Sequence, residues 1–160
     1  CKDIKDLPVK GINLFCAIGD NKKRLTILKK ARELKYQTPN LISKSAIVDD
    51  TAKISNGNFI GNLVYIGPNS VIGNDCIINT SSVIEHETFI SDGCQLAPNA
   101  TICGRVSIYE YSFIGAGATI IDNLSIAPNS VIGAGATVIE DIITPSKTWI
   151  GIPAKINEKN

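Results

Sequence analysis

The only histidine of the chain, His86, lies between two carboxylates in the run INTSSVIEHE (residues 78–87). An imidazole titrates near neutral pH, and an adjacent carboxylate orients it, so a histidine beside a glutamate is the usual build of a general base. A surface histidine in a polar turn has the same local sequence. Glu85 and Glu87 therefore leave both readings open, and the surroundings of His86 must come from the register of the chain.

That register is a repeat of six. Every sixth residue from Val48 through Ile66, Ile84, Leu96 and Ile120 to Val138 is Ile, Leu or Val, with no insertion, and Thr144 is the first break. Two places earlier the side chain is mostly small, as at Ala46, Ser70, Cys76, Ser82, Cys94 and Ala118, and Gly, Asn, Asp or Pro recurs just after each apolar residue. Neither the helical period of 3.6 nor simple alternation gives this pattern. A hexapeptide parallel β-helix does, as a short strand and a corner repeated. If three hexads close one triangular coil, residues eighteen apart stack at about 4.7–4.9 Å. One internal ladder is then Val48, Ile66, Ile84, Ile102, Ile120 and Val138, whose branched rungs resist slippage. The spacing predicts about five coils between residues 46 and 152.

Stacking gives His86 its neighbours. Gly104 comes eighteen residues later, so the place above the ring has no side chain. A ligand can approach the backbone there and a free amide can donate to a developing oxyanion, although glycine also suits a tight corner. The stretches IGAGATI (residues 114–120) and IGAGATV (residues 132–138) are one coil apart, which puts Gly115 under Gly133 and Ala116 under Ala134. The resulting strip is poor in side chains, suited to an extended pantetheine arm hydrogen-bonded to backbone. Tight corners alone would select the same residues.

The five cysteines show no metal-ligand or disulfide-framework spacing. Cys76 and Cys94, eighteen apart at the small inward position, read as reduced packing residues of a cytoplasmic protein. No apolar run reaches transmembrane length and no secretory signal pattern is present, so no membrane partner is expected. The net charge of +1 carries no nucleic-acid signal. It is unevenly spread: residues 1–45 hold 11 Lys/Arg and 4 Asp/Glu, residues 46–160 hold 5 and 11. A basic first segment attracts a phosphorylated ligand, or is simply a solvated helix face.

That first segment begins without a methionine, which suggests a missing start. Residues 12–18 (INLFCAI) read as a buried strand, residues 19–21 as a turn, and residues 22–35 as a helix with Leu25, Leu28, Ala31 and Leu34 on its apolar side. This is the tail of an α/β unit. The expected organisation is a truncated α/β domain over residues 1–45, the β-helix over 46–152 with WIGIPAK (residues 149–155) as its last rung, and a tail over 153–160 that frays at NEKN.

The repeat with INTSSVIEHE, LAPNATICG, two GAGAT rungs and a terminal GIPAK resembles the hexapeptide-repeat acyltransferases of the sialic acid O-acetyltransferase and UDP-4-amino-sugar N-acetyltransferase family. CAIGDNKKR resembles the end of that family's nucleotide-sugar domain. The resemblance implies a mainly β fold, a left-handed parallel β-helix preceded by a partial Rossmann-like α/β segment, assembled as a homotrimer with sites between subunits. It implies acetyl-CoA as co-substrate, no metal, and a nucleotide-linked amino sugar as acceptor. Carried over residue by residue, His86 is the general base and Glu87 the carboxylate that raises its basicity. Gly104, Ala116 and Ala134 line the acetyl-CoA site, Gly19 touches the nucleotide sugar, and Asn79 belongs to the polar surroundings of the base. Two departures stand out. Gln95 occupies the place of a second histidine that contacts acetyl-CoA, and the glycine-rich first βα turn is absent.

Three other readings share these features. An O-acetyltransferase acting on a sialic acid or related sugar would use the same base. A zinc hydratase on a hexad prism needs three histidines per site, which one histidine per chain supplies only on a symmetry axis. A non-catalytic structural β-helix has no need of a His-Glu corner.

Overall fold

The computed structural model describes residues 11–158; residues 1–10 and the end of the expected tail, Lys159 and Asn160, lie outside the described residues. Seventeen two-residue strands, one every six residues, run from β1 (Leu41–Ile42) to β17 (Thr137–Val138). Each pairs in parallel with the strand eighteen residues away, as Ile84 does with Ile66 and Ile102. Three faces result. The first holds β1 and the strands ending in Ile60, Ile78, Leu96, Ile114 and Ile132; the second carries the ladder from Val48 to Val138; the third runs from Ile54 to Ile126. The corners form three edges, each named here after the face it follows. The chain winds as a left-handed parallel β-helix, against the usual right-handed crossover. It makes about six turns rather than the five predicted, because pairing already begins at Leu41 and continues to Trp149.

Ladder residues from Ile60 to Ile132 are fully buried, and each such side chain contributes roughly 1.5–3 kcal/mol by leaving water. The small inward residues also solve a polar problem. Ser70 Oγ donates to Glu85 O (2.9 Å), Ser82 Oγ to Ala97 O (3.1 Å) and Ser112 Oγ to Ala127 O (3.2 Å), each fifteen residues ahead, so these buried hydroxyls are paired. The Cys76 and Cys94 thiols do the same toward Ser91 O and Tyr109 O. Burial raises both thiols, Cys94 to about 12, which keeps them protonated and makes them packing residues rather than nucleophiles. The third residue past a ladder position often adopts the left-handed backbone region, as at Asn69, Glu87, Arg105 and Asn123. That conformation favours Asn, Asp and Gly and explains their recurrence at the corners.

After Val138 the period fails for a visible reason. Ile142, sixteen residues past Ile126, bridges it and is buried, so the chain cuts the coil short and Thr144 is left exposed. Strand β18 (Thr148–Ile150) then sets Trp149 beside Ile132, and β19 (Lys155–Ile156) folds back antiparallel on β18.

Helix α1 (Asn21–Glu33) starts at Asp20, whose side chain accepts from Lys23 N (2.9 Å) as an N-cap. It ends in a Schellman motif, with Tyr36 N donating to Ala31 O, Lys35 N to Arg32 O, and Lys35 in the left-handed region. Two expectations are corrected. Leu28 and Ala31 of the expected apolar side are buried, but Leu25 and Leu34 are only half-buried and Arg24 completes the buried side, because the surface it meets is the backbone of the solenoid's third edge and not an apolar sheet. Residues 12–18 are not a buried strand. Among the described residues their ladder is one bridge, Asn13 to Gln37, and Phe15 and Ile18 are exposed, since no second strand covers them. The helix is fastened by a paired contact of Arg32 to the fully buried Asp75 (2.8 and 2.6 Å).

Candidate active site

His86 stands on the second edge, two residues past Ile84. Its Nδ1 lies 3.0 Å from Glu87 Oε2, and Arg105 Nε donates to the same oxygen at 3.1 Å. An ionised carboxylate can only accept, so Nδ1 carries the proton, and in the neutral imidazole Nε2 is the acceptor. His86 first and Arg105 second hold the Glu87 carboxyl below its ordinary range. Of the two flanking glutamates, only Glu87 takes the ring. Glu87 and Arg105, one coil apart, both adopt the left-handed backbone region, and their side chains meet along the edge. Arg105 was not expected, yet it is eighteen residues after Glu87, and the stacking rule that found Gly104 would have found it too.

Gly104 does what its register suggests. A Cβ built on it would fall 2.6 Å from both Cε1 and Nε2 of His86, so the ring rests against bare backbone. Among the described residues the Gly104 N–H has no partner, and the same holds for the N–H groups of Ala116 and Ala134. Three equivalent corner amides are taken, Asn56 N by Asn74, Asn74 N by Asp92 and Thr80 N by Asn79, while those of Asn62, Asp92, Glu110 and Asp122 are likewise unpartnered among the described residues. Ala116 and Ala134 stack on the first edge, both exposed, with Gly135 N donating to Ala116 O (2.8 Å).

Gly19, Asn79 and Gln95 come together elsewhere. They border a cleft of about 360 Å³ between residues 15–19 and the first face, with Phe59 and Ile77 on its floor. Gln95 Oε1 is buried there, with no hydrogen-bond partner among the described residues. Within one chain, then, the His86 corner, the Ala116–Ala134 strip and the cleft occupy different parts of the prism. Gln95 faces the cleft and not the strip. Among the described residues no group of three or more His, Cys, Asp or Glu could hold a metal ion, and no helix is long and apolar enough to cross a membrane.

The family model described as bacterial transferase hexapeptide (six repeats) matches residues 51–86. No curated protein sequence matches the chain. Among solved structures, a histidine-to-alanine variant of GDP-perosamine N-acetyltransferase from Caulobacter crescentus, in complex with CoA and GDP-perosamine, is 34% identical. The likeness covers 98% of this chain and 74% of that one, with a TM-score of 0.94. The acetyltransferase domain of PglB from Neisseria gonorrhoeae, in complex with acetyl coenzyme A, is 28% identical over 96% of this chain and 75% of that one, with a TM-score of 0.92. WeeI from Acinetobacter baumannii, at 24% identity over 96% of this chain and 74% of that one, shares the fold with a TM-score of 0.89. A hexad solenoid with a carboxylate-held histidine and bare amides at its corners is thus matched over nearly its whole length at a third identity, and the chain belongs to the hexapeptide-repeat sugar acyltransferases.

Proposed function

We propose that the protein transfers the acetyl group of acetyl-CoA directly to the amine of a nucleotide-linked amino sugar, with His86 as general base. The observation that carries this reading is the hydrogen bond from His86 Nδ1 to Glu87, which leaves Nε2 as an acceptor beside the bare backbone of Gly104. As the amine attacks the thioester carbon, Nε2 takes its proton, and the imidazolium is balanced by the Glu87 carboxylate. An open backbone N–H, that of Gly104, meets the charge developing on the carbonyl oxygen. When the carbon–sulfur bond breaks, the departing thiolate recovers the proton, giving CoA and the N-acetyl sugar with no covalent enzyme intermediate.

The strip at Ala116 and Ala134 suits the pantetheine arm, because its amides are unpaired and its side chains end at Cβ. Gln95 offers a hydrogen bond but no titrating group. Gly19 and Asn79 border the cleft that takes the acceptor, with residues up to 45 supplying its nucleotide side. Since base and strip lie on different edges of one chain, the reading calls for a homotrimer in which the second edge of one subunit meets the first edge of the next. The neighbouring structures with GDP-perosamine and with acetyl coenzyme A support both ligand classes.

The test is free-thiol release from acetyl-CoA with GDP-perosamine, a UDP-linked 4-amino sugar and a sialic acid, alongside light scattering. Release with an amino sugar from a trimeric species is expected. Release with the sialic acid alone would replace the N-acetyl assignment with the O-acetyl one, and an active, stable monomer would refute the composite site.

A further inference from the structure

Two charged side chains among the described residues are almost fully buried and unused by the proposed chemistry: Asp75, which Arg32 pairs, and Arg24, at about 1% exposure, which pairs with no carboxylate. The Arg24 guanidinium faces three backbone segments at once. Nε donates to Asp75 O (2.8 Å) and Nη2 to Gly93 O (3.0 Å), both on the third edge of the solenoid, and Nη2 also reaches Asn21 Oδ1 (2.8 Å). On the other side Nη1 donates to Ile18 O (3.0 Å) and, at longer range, to Gly19 O (3.4 Å). Every strong partner of the cation is thus a fixed dipole, and no carboxylate touches it.

The second observation concerns what those carbonyls belong to. Residues 15–19 form the outer wall of the cleft whose floor is Phe59, Ile77 and Gln95. Among the described residues, every hydrogen bond that ties residues 15–19 to the rest of the molecule comes from Arg24. The wall is otherwise largely exposed, with Phe15 at 52%. The segment is otherwise held only at its ends, by the Leu14 N–Gln37 O bond (2.9 Å) before it and by helix α1 after it, and Gln95, which borders the space between wall and floor, carries a buried Oε1 with no hydrogen-bond partner among the described residues.

We infer that Arg24 is a positioning residue for the acceptor: its guanidinium clamps the wall at residues 15–19 to the solenoid's third edge and thereby fixes the orientation of the sugar in the cleft. The inference rests on the proposed acceptor reading. Five N–H donors in a rigid plane are what let one side chain span carbonyls on opposite sides, and an ammonium cannot do so. Arg32 is the internal control. It fastens the same helix through Asp75 but touches no residue of the wall.

The experiment compares Arg24→Lys and Arg32→Lys on the full-length chain by thiol release, using GDP-perosamine, or the UDP-linked 4-amino sugar of the same panel where that is the one turned over. Arg24→Lys is expected to raise the acceptor KM at least tenfold while the KM for acetyl-CoA stays within twofold. Arg32→Lys should lower Tm comparably and leave both constants within twofold. Acceptor KM values that follow Tm in both variants would overturn the inference, since Arg24 would then only dock the helix. Should Arg24→Lys fail to fold, wild-type protein decides. Cys16 sits in the wall, and saturating acceptor should slow its alkylation at least fivefold; unslowed alkylation during normal turnover removes the clamp's role while sparing the acetyl-transfer reading. No turnover of any amino sugar removes both.

Discussion

Gly104→Ala adds one methyl group at the point where the His86 ring, the proposed base, touches the backbone. The new Cβ would lie 2.6 Å from Cε1 and Nε2 of His86 and 3.2 Å from Cδ2. An ordinary carbon contact is about 3.5 Å, so the ring must retreat by roughly 0.9 Å. It has somewhere to go, because the His86 side chain is 43% exposed and can swing outward along the edge. Gly104 is not in the left-handed region, so alanine fits its backbone, and stability should change by less than about 1 kcal/mol. The Gly104 N–H is untouched. A displacement of about 1 Å in a reacting group costs on the order of 10²-fold, or about 2.7 kcal/mol of barrier. The expected result is therefore a kcat about a hundredfold lower with Tm nearly unchanged and CoA binding intact, measured by thiol release, thermal denaturation and calorimetry. A kcat within threefold of wild type would show that the position of the His86 ring does not limit the reaction.

His86→Ala should lower kcat by about 10²–10⁴ while leaving CoA affinity within a few-fold, and Glu87→Gln should lose less, since it keeps a hydrogen-bonding partner for Nδ1. Because His86 and Arg105 hold the Glu87 carboxyl below its ordinary value of 4.5, whatever stability it contributes is present above pH 4.5 and lost as the pH falls through the lowered value; Glu87→Gln should remove that increment from acid-denaturation curves followed by circular dichroism. Ala116→Phe or Ala134→Phe should raise the KM for acetyl-CoA at least fivefold with Tm within about 2 °C; a collapse of Tm would mean that the strip is structural. Arg32→Leu leaves the fully buried Asp75 carboxylate without its partner and should cost on the order of 3 kcal/mol in urea denaturation.

Much of this was legible because one arithmetic rule governs the solenoid. The ladder from Val48 to Val138, the contact of Gly104 with His86 and the stacking of Ala116 under Ala134 all follow from counting eighteen. The same count contains the Glu87–Arg105 pair, which was not among the expected contacts although Arg105 stands eighteen residues after Glu87. Ahead of the repeat there is no such rule. Arg24 reads as solvated on any hydrophobicity pattern, and only a surface of unpaired carbonyls makes it a buried side chain. Residues 12–18 have the composition of a core strand, but composition carries no information on whether a neighbouring strand is there to cover it. The cut corner at Ile142 was likewise hidden, since Ile142 and Ile143 both suit a rung and only closure of the chain chooses between them.

The unbroken solenoid behaves as a screw thread, in which a residue number is both an angle and a height. Ala134 follows His86 by forty-eight residues, about two and two-thirds turns, which places it one edge round and about 13 Å along the axis. Inserting six residues in a corner between them would advance everything beyond by a third of a turn, carrying the strip to another edge while hardly disturbing the core. Inserting eighteen would keep the angle and change only the height by one strand spacing. Length variation in such a chain is therefore quantised: whole turns change only the height between His86 and the Ala116–Ala134 strip, whereas fractions of a turn would dismantle the proposed site without unfolding the protein.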